Sequence, residues 1–194
     1  MRRIICIIGK SGAGKDTALA ELLKRNKQDI RPVVTYTTRP RRSSEADGRE
    51  YYFVDDEVFA KLKEQNKIIE SRTYHTFKGD WTYFTCESCF TDGQYNVMIA
   101  TPEAVDKLCG YFGEEEIHVI FLTLDNKKRL LRCIDREEAQ AKPDYSEVCR
   151  RYLADDRDFA DEQINKYKNI YRVDTDDDIS NIADKILDVI KSIG

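Results

Sequence analysis

The sequence predicts an α/β fold of three layers around a parallel central sheet, and three observations predict it. An apolar run, Ile4-Ile5-Cys6-Ile7-Ile8, leads into a Gly-rich turn and then into a helical pattern, Ala18-Leu19-Ala20-Glu21-Leu22-Leu23-Lys24. Further apolar runs recur between helical patterns, as strands covered on both faces require. That alternation of strand and helix is broken in only two places, each with the composition of an inserted piece.

Taken in order, the strands expected are Arg3–Ile8, Val97–Ala100, Val119–Leu124 and Ile170–Val173. The helices expected are Thr17–Lys27, Pro102–Phe112, Lys127–Gln140, Ser146–Ala160 and Ile179–Ile193. Pro102 suits the first turn of its helix, where an N–H has no partner anyway. Ile179, Ile182, Ile186, Leu187 and Ile190 fall at helical spacing and read as a core face. The first break, about 35–86, is rich in Tyr, Thr, Arg and Gly, with short β-like pieces and one helix-like stretch, Glu57–Gln65. It reads as an inserted lobe. The second is Lys142-Pro143-Asp144, where Pro143 disfavours helix at Lys142. Its flanks carry Arg129, Arg132, Arg136, Arg150, Arg151 and Arg157. Most of these suit a solvated helical hairpin with intrahelical ion pairs. A few suit a lid that lays arginines across phosphates. The 194 residues then form one domain: a core of about 1–34, 87–128 and 158–194, the lobe, and a lid of about 129–157.

Composition narrows the function. Hydrophobic residues make up 41%, enough for a sizeable core, and a net charge of −4 argues against general nucleic-acid binding. No apolar stretch approaches the ~18 residues of a membrane span. Arg2 and Arg3 precede a run too short for a signal peptide, so a cytoplasmic protein is expected. Of the six cysteines, Cys86 and Cys89 form a single C-x-x-C without the two further ligands of a zinc site. Cys6, Cys109, Cys133 and Cys149 read as core or helix residues. His118 opens a strand and reads as structural, while His75 lies in a polar, aromatic segment where it could touch a substrate, though nothing in the pattern requires it.

The turn itself is Gly9-Lys10-Ser11-Gly12-Ala13-Gly14-Lys15-Asp16-Thr17, which meets the G-x-x-x-x-G-K spacing of a P-loop between strand and helix. Glycines let the backbone wrap closely around phosphates, and the helix start adds free N–H groups and a positive dipole end. Lys15 supplies a mobile positive charge for the β/γ-phosphates. The fold is therefore of the P-loop NTPase type, with ATP expected at Gly9–Thr17. Where a Ser or Thr usually follows the lysine to meet Mg²⁺, this chain has Asp16, whose carboxylate can also ligate that hard cation.

A second signal runs from Thr35 to Val54. Thr37, Thr38, Arg39, Arg42, Glu45, Gly48, Tyr51, Phe53 and Val54 stand in register with a T-T-R-x-x-R-x-x-E-x-x-G-x-x-Y-x-F-V pattern. This segment closely resembles the monophosphate-binding signature of guanylate kinases, and with the P-loop the resemblance covers nearly the whole chain. A monophosphate dianion calls for planar, permanently charged donors, which suits Arg39 and Arg42, with the Tyr51 hydroxyl beside them. Glu45 could orient an arginine. The resemblance implies that Glu70 accepts the guanine N1–H and amino group, that Thr35 stands near the base, and that Tyr83 and Thr85 belong to the same wall, with a few extra residues after Glu70. Trp81 is either part of that wall or a packed aromatic.

Three positions depart from the family pattern. Asp16 is one. Ala100 stands where guanylate kinases usually carry the aspartate of I-D-x-Q-G, and Thr175 or Asp176 stands near the asparagine of their N-D-D segment. The resemblance implies Mg²⁺-dependent transfer of the ATP γ-phosphoryl group to GMP or dGMP. Lys15, Arg39 and the lid residues Arg132, Arg136 and Arg151 would do the catalytic work, and Asp16 would face the metal in place of an acid at position 100. Two other readings stay open on the residues alone: a kinase of altered or relaxed base specificity, and a non-catalytic binding module of the same fold. Intact Lys15, Arg39 and Arg42 argue against the module.

Overall fold

Side-chain alternation along the first strand decides the layering. Ile5 and Ile7 enter one apolar cluster, while Ile4, Cys6 and Ile8 enter another on the opposite face. All five are fully buried, at about 1.5–3 kcal/mol for each large aliphatic side chain. The structure is a computed structural model that describes residues 2–25, 30–42, 45–76 and 79–193. The end of the first predicted helix, Asn26-Lys27, and Ser43-Ser44 of the signature segment lie outside the described residues.

In chain order, β1 (Arg3–Ile8), α1 (Lys15–Arg25) and β2 (Ile30–Pro32) are followed by β3 (Thr35–Thr37), β4 (Tyr51–Phe53) and α2 (Asp56–Glu64). A hairpin of β5 (Ile68–Thr76) and β6 (Gly79–Cys86) comes next, then β7 (Tyr95–Ile99), α3 (Pro102–Phe112) and β8 (Ile117–Thr123). The chain continues through α4 (Asn126–Glu138), α5 (Tyr145–Asp158), the short α6 (Asp161–Ile164), β9 (Ile170–Asp174) and α7 (Ile179–Ile193).

One sheet has the order β2-β7-β1-β8-β9 and is parallel throughout. Ala18 and Leu22 of α1 and Ile182, Ile186 and Ile190 of α7 pack on its Ile5/Ile7 face. Ala104, Val105 and Leu108 of α3 pack on the other. The second sheet has the order β4-β3-β6-β5 and is mixed, with β3 parallel to β4 and antiparallel to β6. Tyr36 and Phe84 on one face of it stack at 5.1 Å and join the α3-side cluster.

Local chemistry sets the helix starts. Asp55, Thr101, Asp125 and Asp144 cap α2, α3, α4 and α5, each accepting from first-turn backbone N–H groups. The short α6 was not expected, and two parts of the sheets differ from expectation. The three-residue β2 carries Arg31 and Pro32, a pattern without apolar signal that an edge position tolerates. Of the short β-like pieces expected in 35–86, β3 and β4 are three residues each, while the stretch from Ile68 to Cys86 is one long hairpin, whose run of polar residues in β5 disguised it. The cysteines are all free. Burial pushes the Cys89 thiol up to about 11 and raises Cys86 as well, so this C-x-x-C packs as core rather than offering thiolates.

In a parallel sheet all strands end on one edge, where ligands of open α/β folds bind. That edge holds the P-loop after β1, Ala100-Thr101 after β7, Asp125 after β8 and Thr175 after β9.

Candidate active site

The P-loop is held from two sides. Gly12 has φ +82°, and a Cβ there would lie 2.6 Å from the carbonyl oxygen of Arg129. A Cβ on Gly9 would lie 2.8 Å from the carbonyl oxygen of Leu122 in β8. Lys15 is folded into its own loop, donating to the carbonyls of Gly9 (2.7 Å) and Lys10 (3.3 Å). Burial lowers its pKa, against the pull of Asp16 and Asp155. Ala13 is buried, whereas Asp16 and Thr17 are exposed in the first turn of α1.

The loop tip is fastened to α5. The Ser11 N–H donates to Asp155 Oδ2 at 2.6 Å, and Lys10 Nζ pairs with Asp156 at 2.7 Å. Arg129 is 1% exposed. It donates to the Ser11 carbonyl (3.2 Å) and Asn126 Oδ1 (3.2 Å), pairs with Asp155, and lies 4.4 Å above the Tyr152 ring. Arg129 therefore corrects the expectation of a solvated hairpin arginine. It is a buried post under the loop, linked to a residue more than a hundred positions away in sequence, which no local pattern signals.

The second sheet gathers the remaining candidates on one face. Cross-strand register sets Thr35 beside Tyr51, Thr37 beside Phe53 and Tyr83, Glu70 beside Thr85, and Arg72 beside Tyr83. Paired residues share a face and alternate residues return to it. So Thr35, Tyr51, Glu70, Tyr83 and Thr85 lie together, opposite the apolar face of Tyr36 and Phe84. Glu70 is buried and accepts from the Thr85 hydroxyl at 2.6 Å. Tyr51 and Tyr83 meet edge to face at 5.4 Å. Trp81 pairs with Tyr74 toward the hairpin tip.

Arg39 sits beside this face at 4% exposure. Four of its five N–H groups are engaged, with Tyr83 Oη, the Pro40 carbonyl and both oxygens of Glu45. The guanidinium holds the Glu45 carboxyl down at about 2, with help from the Arg42 backbone N–H. Arg42 itself is exposed.

The hairpin arginines divide. Arg132 stands by Gly14 and, with Thr17, Thr175 and Asp177, lines a cleft of about 230 Å³. Arg136 and Arg151 line a narrow crevice with Ser11 and Cys133. Arg151 also pairs with Glu147 at 2.7 Å, as Arg150 does at 2.6 Å, the intrahelical pattern expected of solvated charges. His75 is exposed and paired with Asp80 near the hairpin tip, and His118 is half-buried in β8.

The family model described as guanylate kinase matches residues 1–190 of this chain. The chain belongs to the guanylate kinase family. Among curated guanylate kinases, that of Caldanaerobacter subterraneus is 26% identical over 96% of this chain and 85% of its own length. Those of Thermobifida fusca and Aromatoleum aromaticum are 44% and 43% identical, over 36% and 37% of this chain. The matched stretch is about a third of each relative's length, 35% in both cases. The crystal structure of guanylate kinase from Anaplasma phagocytophilum shares the fold, with a TM-score of 0.60 at 22% identity over 98% of this chain and 85% of that one.

Two positions that depart from the guanylate kinase pattern have clear surroundings. Ala100 is buried at the end of β7, its N–H bonded to the Ile7 carbonyl at 3.1 Å. Thr175 is buried, its hydroxyl donating to the Thr123 carbonyl at 2.9 Å. Among the described residues no group of three or more His, Cys, Asp or Glu side chains could hold a metal by itself. The Asp16 carboxylate and Thr17 hydroxyl, exposed at the loop mouth, match the sparse donor set of Mg²⁺ that arrives on a polyphosphate. No helix among the described residues is long and apolar enough to cross a membrane.

Proposed function

We propose that this protein transfers the γ-phosphoryl group of ATP to GMP or dGMP, giving ADP and GDP or dGDP. The observation that carries the reading is Glu70, a buried carboxylate oriented by Thr85 on the face that also bears Thr35, Tyr51 and Tyr83. A carboxylate in that setting accepts two N–H bonds from guanine, while adenine has no N1–H to offer.

The acceptor phosphate falls to Arg42, the remaining Arg39 N–H and the Tyr51 hydroxyl, which burial keeps protonated and able to donate. Glu45 and Tyr83 fix the Arg39 plane, so its role is as much to position as to clamp. The backbone of Gly9–Thr17 cradles the donor phosphates, and the cleft lined by Arg132 takes the donor's nucleoside. Lys15 exchanges its loop carbonyls for the transferring phosphoryl group, where a fixed charge lowers the barrier. Mg²⁺, held by Asp16 and Thr17, would neutralise phosphate charge when bound. An acceptor phosphate oxygen, already ionised, forms the new P–O bond as the bond to the ADP oxygen breaks, so no general base is required.

The core is the parallel sheet with its helices, the four-stranded sheet is the acceptor lobe, and the α4–α5 hairpin is the lid. Closure of lobe and lid brings Arg136 and Arg151 to the phosphates and excludes water. A cytoplasmic setting, where ATP is available, completes the reading. The test follows label from [γ-³²P]ATP in the presence of GMP and Mg²⁺. Label in GDP with the native chain, formed at least about a hundredfold more slowly with Lys15→Ala, is the expected result. Label released only as inorganic phosphate would overturn the assignment.

A further inference from the structure

Arg72 is absorbed by nothing above. It lies two residues after Glu70 on β5, hence on the same sheet face. Its Nε is 3.3 Å from Glu70 Oε2, and its Nη1 donates to Thr101 Oγ1 at 3.3 Å, beside Ala100. The Nε–H is buried without a hydrogen-bond partner of its own, because its approach to Glu70 is an ion pair and not an aligned bond. Arg72 also lines a cleft of about 440 Å³ together with Tyr74, Thr101, Glu103 and Arg157. A planar five-donor fork thus stands side by side with a buried carboxylate, and one of its donors is unsatisfied.

We infer that Arg72 is a specificity-determining residue that reads the O6/N7 edge of guanine beside Glu70, an inference that rests on the function proposed above. Around guanine the polar groups run N2 amino, N1–H, O6, N7: two donors, then two acceptors. A carboxylate next to a guanidinium presents the complementary order, two acceptors and then a donor fork. Arginine to guanine O6 and N7 is the pairing that this geometry favours most in nucleic-acid recognition. Adenine reverses the pattern at two places, with an acceptor at N1 opposite Glu70 and an amino group opposite Arg72. Arg72 therefore supplies the discrimination that an acid at position 100 would otherwise add. It also partners the Glu70 charge in the absence of a nucleotide.

The experiment measures kcat/KM for GMP, its 7-deaza analogue and IMP in the native chain, Arg72→Lys and Arg72→Met. The native chain should lose about tenfold or more on the 7-deaza analogue, which lacks N7, and on IMP, which lacks the N2 amino group. Both variants should lose about as much on GMP through its KM, with the KM for ATP unchanged. They should show no further loss on the 7-deaza analogue and a persisting penalty on IMP. Arg72→Lys keeps the cation beside Glu70, so a folded variant is secured for the comparison. A 7-deaza penalty that is absent in the native chain, or equal in all three proteins, would overturn the role of Arg72 alone. A native chain silent with GMP would overturn the kinase assignment and this inference with it.

Discussion

On the proposed function, the P-loop and the polar face of the second sheet would hold phosphate and base by opposite means. Nine consecutive residues, Gly9–Thr17, build the first, and its chemistry is mainly backbone N–H and one lysine. The second is assembled from side chains on four strands, alternate residues at a time. A backbone-built site should tolerate many side-chain changes and fail at the few positions where conformation or charge is indispensable. A side-chain-built site should respond atom by atom to its ligand.

Perturbations of each region test this contrast. The largest effect belongs to Lys15→Ala, which removes the cation proposed to meet the transferring phosphoryl group. A kcat loss of about 10²–10³-fold is expected, with GMP affinity little changed, in steady-state kinetics. Glu70→Gln should raise the KM for GMP about ten- to hundredfold, the worth of a hydrogen bond to a charged group, and leave the KM for ATP alone. If instead both substrates weaken together, the two sites are not separable.

Gly12→Ala acts through conformation. The left-handed backbone costs about 1–2 kcal/mol with a Cβ, before the contact with the Arg129 carbonyl is counted. Calorimetry should show a Tm lower by about 2–4 °C for each kcal/mol in a chain of this size. Asp16→Ala should raise the Mg²⁺ concentration needed for half-maximal rate more than it changes the KM for GMP, and an unchanged Mg²⁺ dependence would contradict Asp16 as a metal ligand.

The smallest effect concerns pH. The Glu45 carboxyl is depressed from 4.5 to about 2 by Arg39. A depressed acid contributes stability that is complete above its unfolded value and is lost as pH falls through the folded one. The Arg39–Glu45 pair should therefore be insensitive to pH from about 5 upward and weaken between about pH 4.5 and 2. Acid titration of the native chain against Glu45→Gln reads this, the variant lacking the Glu45 component of the slope.

The same contrast explains what could be read from the chain alone. The P-loop was legible because its residues are contiguous and its glycines answer to local geometry. β1, α3 and α7 were legible because periodicity and caps coincide with burial. The hairpin of β5 and β6 was not, since from Glu70 to Thr76 successive residues on both faces are polar or amphipathic and the period-2 apolar signal of a strand is missing. The anchoring of Ser11 by Asp155 and Arg129 joins segments distant in sequence, and only folding brings them together. Arg72 carried a faint signal, its place two residues from Glu70 on a strand, but its contact with Thr101 comes from another sheet edge.

The most direct measurement is ADP formation from ATP and Mg²⁺ across a panel of ribo- and deoxynucleoside monophosphates, with Lys15→Ala as the blank. Turnover confined to GMP and dGMP is the predicted result, because only guanine matches the side chains around Glu70. Comparable turnover of AMP, CMP or UMP, or silence across the panel, would contradict it.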